Sequence, residues 1–188
     1  LKIYPNNKMA LNNLASLHYF KGDLKEAEKI YDLSIKYNKN NYDAYYNLAQ
    51  CQLAQENFTK GWYNYKYRWL ANEFSSPKLK TNLPEFYLNK EKKNLLLWSE
   101  QGLGDQILFL RFLEDLEPHV NKLFIKIDYR LHEIIKRMYP KIKFLVKNEK
   151  YFNYNINYQI PIGDLGFLFV SDVSHIRKNT NYWKTDNY

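Results

Sequence analysis

The stretch "SEQGLGDQ", residues 99–106, places two carboxylates beside two glycines. Glu100 and Asp105 can accept a proton or a hydroxyl hydrogen bond, and Gly102 and Gly104 permit a ligand to approach the backbone closely. Asp105 also stands where a helix is predicted to begin, and there a carboxylate is favoured by the helix dipole and can cap free amides. The loop is therefore either a ligand site or a tight turn with a capped helix, and the residues leave both alternatives open.

Two kinds of nucleotide site are disfavoured by the same residues. Backbone amides at a strand-to-helix turn can hold a phosphate, but two nearby carboxylates argue against a bare phosphate cradle and favour hydroxyl-rich ligands or base catalysis. The dinucleotide fingerprint requires a third glycine, and Ile107 occupies that position, although Asp128 follows at about the distance of a ribose-binding acid. The fingerprint is incomplete, so a nicotinamide or flavin role is not favoured.

Alternating apolar runs predict the elements that position this loop. The spacing predicts strands at 94–99, 122–127, 141–146 and 158–162, with helices at 104–116 and 129–139. Strands that alternate with helices are typical of a doubly wound parallel sheet, whose ligand site lies at the carboxyl ends of the strands. Residues 95–188 are thus predicted to form a Rossmann-like lobe with about four strands.

The first seventy residues contain an internal repeat with a register of 34 positions. Aligning 8–41 with 42–75 places Leu14 on Leu48 and Ala15 on Ala49. Small residues coincide with small ones and large with large, which predicts two stacked helical hairpins. Gly22 is expected to take a left-handed conformation between the helices, and Asp23 to cap the second helix.

The repeat resembles the tetratricopeptide repeat in its pattern of large, small, glycine and aromatic positions, which are met by Leu11, Leu14, Ala15, Gly22, Ala27 and Tyr31. We therefore predict a domain at 1–71 with repeats at 8–41 and 42–71. Pro5 matches the end of such a repeat, so the chain is expected to begin at the tail of an earlier one. The resemblance implies a protein or peptide partner on the concave face, or a spacer role.

An aromatic helix face and a proline-containing segment follow the repeats. Trp62, Tyr65 and Trp69 share one face beside Arg68, which favours docking on a following domain or a place in the core over a ligand box. Residues 72–94 have little periodicity and are predicted to be a linker.

The order of these segments, with "GWYNYKYRW" before the linker and "LLLWSEQGLGDQILFLRFL" after it, resembles bacterial tetratricopeptide-repeat proteins with a glycosyltransferase-like C-terminal region. That region is similar to heptosyltransferases of glycosyltransferase family 9, and more distantly to O-linked N-acetylglucosamine transferases. The resemblance implies a GT-B fold of two Rossmann-like lobes, of which 95–188 is the first.

By this resemblance, Asp105 matches the general base that takes the proton of the acceptor hydroxyl. The substrate-binding residues are then Glu100, Gln101, Gly102, Gly104 and Arg111. Arg111 matches a basic residue of the repeat-containing relatives, with a surface ion pair as the alternative. A base should lie exposed at the strand ends, whereas a mere cap should accept the amides of Ile107 or Leu108.

The resemblance also implies what this chain lacks. The sequence stops where the first lobe would end, so we expect a fragment of a parent enzyme that is inactive without its second lobe. The parent is expected to use a nucleotide-sugar donor and no other cofactor or metal. The alternative is a non-catalytic tetratricopeptide scaffold that binds proteins.

Composition narrows the remaining function classes. The net charge is +8, but +4 falls on each side of residue 71, so nucleic-acid binding is not favoured. No apolar run approaches the roughly 18 to 20 residues of a membrane span and no signal peptide is evident, which predicts a cytoplasmic protein. Cys51 is the single cysteine, and His119, His132 and His175 lack metal-binding spacing.

Overall fold

The computed structural model describes residues 6–88, 91–145 and 154–177, which belong to two compact units. The first unit contains the residues up to Ser75 together with Ser171–Val173, and the second contains Ser76–Val170 and the residues from Ser174. The described residues combine helices with a four-stranded, all-parallel sheet. The predicted combination of a helical part with an α/β part is therefore confirmed.

Residues 6–75 of the first unit form four helices arranged as two hairpins, namely α1 (Lys8–Phe20), α2 (Leu24–Tyr37), α3 (Tyr42–Ala54) and α4 (Phe58–Tyr65). Helices α1 and α3 begin 34 positions apart, and so do α2 and α4, as the sequence register requires. A 3-10 turn at Lys66–Leu70 continues from α4.

Small residues lie at the interior of both hairpins. Ala15 and Ala27 are fully buried, and Leu11 and Tyr31 fill the space around them. A Cβ atom added at Gly61, the counterpart of Ala27, would lie 2.7 Å from both Cγ and Cδ2 of Leu53. Helices α3 and α4 are therefore packed closely enough that only glycine fits at this contact.

The turns between the paired helices require a left-handed residue. Gly22 has φ of 84°, as predicted, and Glu56 takes the equivalent position of the second hairpin with φ of 61°. Asp23 precedes α2 but makes no capping bond, so its predicted capping role is wrong. Its carboxylate instead lies 3.5 Å from His18 Nδ1, a contact across the turn that competes with capping.

The aromatic face after α4 surrounds a buried cation. Arg68 is fully buried, and its guanidinium lies 4.5 Å from the ring centre of Tyr65 and 4.6 Å from that of Trp69. One guanidinium nitrogen also donates to the Tyr65 carbonyl at 3.3 Å. The aromatic residues here thus contact the buried guanidinium of Arg68. Docking of this face on another domain stays a prediction.

The second unit contains the sheet, with the following elements in chain order: β1 (Lys93–Trp98), α5 (Leu103–Leu110), α6 (Leu113–Leu116), β2 (Val120–Lys126), α7 (His132–Met138), β3 (Lys143–Phe144), β4 (Tyr158–Pro161) and α8 (Asp164–Phe169). A last short helix, α9 (Val173–Arg177), begins at a residue of the first unit and continues in the second. Short 3-10 turns precede β2 and α7. Among the described residues, no helix is long and apolar enough to cross a membrane.

The strands follow the order β3-β2-β1-β4, and all pairs are parallel. The strand β1 is an inner strand, and Leu95, Leu96 and Leu97 are fully buried. This burial on both faces is typical of a parallel sheet covered by helices. The Trp98 indole nitrogen donates to Gln159 Oε1 at 2.6 Å, which joins β1 to β4 inside the core.

Two segments differ from their predicted form. The predicted helix at 104–116 is interrupted at Arg111 and Phe112, which separate α5 from α6. Within the predicted linker at 72–94, Glu85 pairs in parallel with Gln159 of β4, and Phe86 is buried. Apolar spacing alone does not reveal either feature, because both depend on contacts with residues distant in sequence.

Candidate functional site

The candidate site is the loop that joins β1 to α5 at the carboxyl end of the sheet. Asp105 is the third residue of α5, and its Oδ2 accepts a hydrogen bond from the Gly102 amide at 3.1 Å. The side chain is partly exposed, and within the described ranges its Oδ1 has no hydrogen-bond partner. Asp105 thus uses one carboxylate oxygen to close the turn at the start of its helix.

The two glycines are not required by the packing of the protein itself. Both are exposed, and neither has a positive φ. A Cβ atom at Gly104 would meet nothing within 4 Å, and one at Gly102 would make only an ordinary 3.4 Å contact with Asp105 Oδ2. Open space therefore lies beside the backbone on the solvent side of the loop, where a ligand can approach it.

The backbone strain of this loop falls on Gln101 rather than on a glycine. Gln101 has φ of 59°, a left-handed conformation that costs about 1–2 kcal/mol for a residue with a side chain. Its amide donates to Ser76 Oγ at 2.7 Å, which holds the loop in place. Strain of this kind often occurs at functional sites. Ser76 was missed from the sequence because it lies 25 positions earlier.

Glu100 and Arg111 lie in the interior rather than on the exposed side of the loop. Glu100 follows β1 and is 3% exposed, whereas Arg111 is 9% exposed at the break after α5. The Arg111 guanidinium donates to the carbonyl of Ile176. A ligand that arrives from solvent would therefore meet Gly102 and Gly104 before either of these charges.

A second loop at the carboxyl end of β2 is joined to the first through a buried amide. Gln106 is 5% exposed, and its Oε1 accepts from the Asp128 amide at 2.9 Å. The predicted sites did not include Gln106, although a polar residue within the apolar run 103–113 is the signal that marks it. This bond fixes the spacing between the loops after β1 and β2.

The Asp128 carboxylate is already engaged by a neighbouring cation. Its two oxygens accept from the backbone amide, Nε and NH2 of Arg130 at 2.8–3.0 Å. The side-chain hydrogen bonds from Arg130, followed by its backbone amide, lower the pKa of Asp128 from 3.8 to about 2. A ribose hydroxyl would have to compete with this ion pair, which further weakens the dinucleotide interpretation.

The polar groups of the site are a carboxylate and backbone amides. Among residues 6–88, 91–145 and 154–177, no group of three or more His, Cys, Asp or Glu side chains is placed to hold a metal ion. What the loop offers is one partly exposed carboxylate, held by one backbone amide, beside open space. This arrangement can accept a proton from a bound hydroxyl group.

Comparison with known proteins adds no relative to this description. No protein-family model matches the chain, and no curated protein matches it. The chemistry assigned to the loop therefore depends on its geometry and on the residues named above.

Proposed function

We propose that this chain belongs to a sugar transferase in which the loop between β1 and α5 binds the acceptor and Asp105 is the general base. The observation that carries the proposal is the hydrogen bonding of the Asp105 carboxylate. One oxygen is held by the Gly102 amide, and the other has no partner in the described part of the chain. A base needs this combination of fixed orientation and one available oxygen.

The proposed reaction is an inverting transfer from a nucleotide-sugar. The acceptor hydroxyl gives its proton to Asp105, its oxygen forms the new bond to the anomeric carbon, and the bond to the diphosphate breaks with its electrons leaving on the diphosphate. The residues of this chain supply the acceptor side of that reaction. The donor is proposed for the whole protein, and no donor contact is assigned to a residue described here.

The surrounding residues support an acceptor site. The space beside Gly104 and the exposure of Gly102 leave room for a hydroxyl-bearing ligand near the carboxylate. The strained Gln101 and its bond to Ser76 hold the loop in one conformation, which reduces the cost of ordering it when the acceptor binds.

The test is Asp105→Asn in the full-length protein, assayed for sugar transfer to candidate hydroxyl acceptors. Asparagine retains an oxygen that accepts the Gly102 amide but cannot take a proton, so the fold is preserved and the base is removed. We expect kcat to fall by about 10²–10⁴-fold. The matched control is Asp115→Asn, on α6 of the same unit, which should leave kcat unchanged.

A transferase whose turnover is unchanged by Asp105→Asn would contradict the assignment of the base. Unchanged far-ultraviolet circular dichroism and thermal midpoint would show that any loss of activity is not a loss of fold. Binding of the acceptor to both the original and the Asn variant, with transfer only by the original, would separate proton transfer from acceptor binding.

A second candidate is a protein-binding scaffold built on tetratricopeptide-like hairpins. The observation that favours it is the exposed apolar face of α1, where Met9 is 70%, Leu17 is 58% and Phe20 is 83% exposed. These side chains recur at helical spacing and make an apolar stripe that a protein segment could cover. The Asp105→Asn experiment separates the candidates, since a pure scaffold has no transfer activity to lose.

A further inference from the structure

A cavity lies at the opposite end of the sheet from the loop after β1. It has a volume of about 580 Å³ and is formed at the amino-terminal ends of β2 and β3. Ligand pockets commonly have volumes of about 300–1,000 Å³, so a small organic molecule fits in this one. Its lining combines lysines with apolar and aromatic side chains.

The sheet register places the lysines and the apolar surface on one face. Lys122 and Phe124 are two positions apart on β2, so their side chains project to the same side. Phe124 pairs with Lys143 in the parallel register, which puts Lys143 on that side as well. Lys141, which precedes β3, also lines the cavity.

Three lysines of the lining have no carboxylate partner within the described parts of the chain. Lys122, Lys141 and Lys143 make no ion pair there, and all three are exposed. Among the described lining residues only Glu117 is acidic, and it lies on the 3-10 turn before β2. The described lining thus carries an excess of two positive charges, which favours an anion.

An aromatic ring forms the wall next to these charges. The Tyr154 ring centre lies 3.9 Å from Lys143 Nζ and 5.3 Å from the ring centre of Phe124. The cation–π contact and the ring contact both hold the Tyr154 ring in position. Val120 and Phe124 are buried and provide apolar surface in the lining.

We propose that this cavity binds a small organic phosphate that carries a planar ring, a nucleoside monophosphate being the simplest example. The ammonium groups of Lys122, Lys141 and Lys143 contact the phosphate, and Tyr154 with Phe124 contacts the ring. A simpler ligand would contact only part of this lining. A free phosphate would not contact the aromatic wall, and an uncharged ring would not contact the lysines. The proposal is independent of the transferase reaction.

The test compares adenosine 5′-monophosphate, adenosine and inorganic phosphate as probes, in titrations of the 188-residue chain followed by NMR. We expect the monophosphate to shift the amide signals of Lys122, Lys143 and Tyr154 and to bind more tightly than either part alone. Because the contacts are ionic, binding should weaken as salt is raised from 50 to 200 mM.

The variant arm uses Lys122→Gln combined with Lys143→Gln. Two lost charge contacts predict about tenfold weaker binding. The matched control is Lys136→Gln, an exposed lysine on α7 that does not line the cavity and should change affinity by less than about twofold. Tyr154→Leu should weaken the monophosphate more than inorganic phosphate, because only the monophosphate has a ring.

Three results would overturn the proposal. One is the absence of monophosphate-dependent shifts at the cavity residues at low salt. Another is equal affinity for the monophosphate and inorganic phosphate, which would remove the role of the aromatic wall. The third is an equal loss in the Lys136→Gln control, which would show that the binding is general surface attraction.

Discussion

The same substitution at two helical glycines should have opposite effects on stability. In the first unit, alanine at Gly61 places its Cβ 2.7 Å from Leu53 Cγ and 3.1 Å from the Leu53 amide nitrogen. Relief requires α3 and α4 to separate, because Cγ and the backbone cannot move as freely as the end of a side chain. In the second unit, alanine at Gly104 meets nothing within 4 Å.

The magnitudes follow from two competing terms. Alanine is favoured over glycine inside a helix by about 0.8–1.0 kcal/mol, while overpacking a close contact costs about 1–3 kcal/mol. Gly61→Ala should therefore lower the free energy of unfolding of the first unit by about 1 kcal/mol. Gly104→Ala has no packing cost and should raise the free energy of unfolding of the second unit by a few tenths of a kcal/mol.

Hydrogen exchange measured by mass spectrometry is the suitable assay, because it follows each helix separately. A loss of about 1 kcal/mol makes exchange about fivefold faster, which we expect for the amides of α3 and α4 in Gly61→Ala. The control is Thr59→Ala, an exposed position on α4 where no contact is introduced. Slower exchange in Gly61→Ala than in the original chain would refute the packing argument.

Two further predictions concern ionisation. The Asp128 carboxyl should titrate near pH 2 by NMR, and Arg130→Gln should raise its pKa toward 3.8. Since the pKa of Asp128 is lowered in the folded chain, the stabilising effect of this pair is present above about pH 4 and is lost as the pH falls toward 2. An unchanged Asp128 pKa in Arg130→Gln would contradict the role of the ion pair. Burial, and next the charge of Glu28, raises the pKa of the Cys51 thiol to about 11. Iodoacetamide at pH 8 should therefore modify the native chain at least about 100-fold more slowly than the urea-unfolded chain, and equal rates would show that the thiol is accessible.

Periodicity was sufficient to locate most of the regular elements. The apolar run 94–99 predicted β1 to within a residue at each end, and the 34-residue register predicted where the hairpins begin. These patterns are strong because each buried face must be apolar along its whole length. The alternation of strands and helices predicted the parallel orientation of the strands, whereas the neighbours of β1, which are β2 and β4, are known only from the structure.

Contacts between distant residues account for what the sequence did not reveal. The break at Arg111 lies where the helical apolar spacing continues on both sides, and the buried guanidinium there donates to the carbonyl of Ile176, 65 positions away. Of the third predicted strand, Lys143–Phe144 forms β3, and the last predicted residue lies outside the described part of the chain. Periodicity reports the burial of a face and not the partner that covers it.

The candidate site could be predicted in its residue types but not in its conformation. The position of Asp105 at the start of a helix was evident from the sequence, and the residue is partly exposed at the carboxyl end of β1, whereas its role as a base stays a prediction. The left-handed residue is Gln101 and not one of the neighbouring glycines. Its conformation depends on the Ser76 hydroxyl, which local propensity cannot indicate.

The pairing of residues 84–86 with β4 determines where the second unit can be separated from the rest of the chain. The Phe86 amide donates to the Gln159 carbonyl at 2.9 Å, and the Gln159 amide donates to the Pro84 carbonyl at 3.0 Å. A truncated chain beginning at residue 95 would lose these bonds and uncover the side of β4 and the Phe86 site. An uncovered strand edge is a template for pairing with other chains, so a chain beginning at residue 95 should aggregate more readily than one beginning at Ser76.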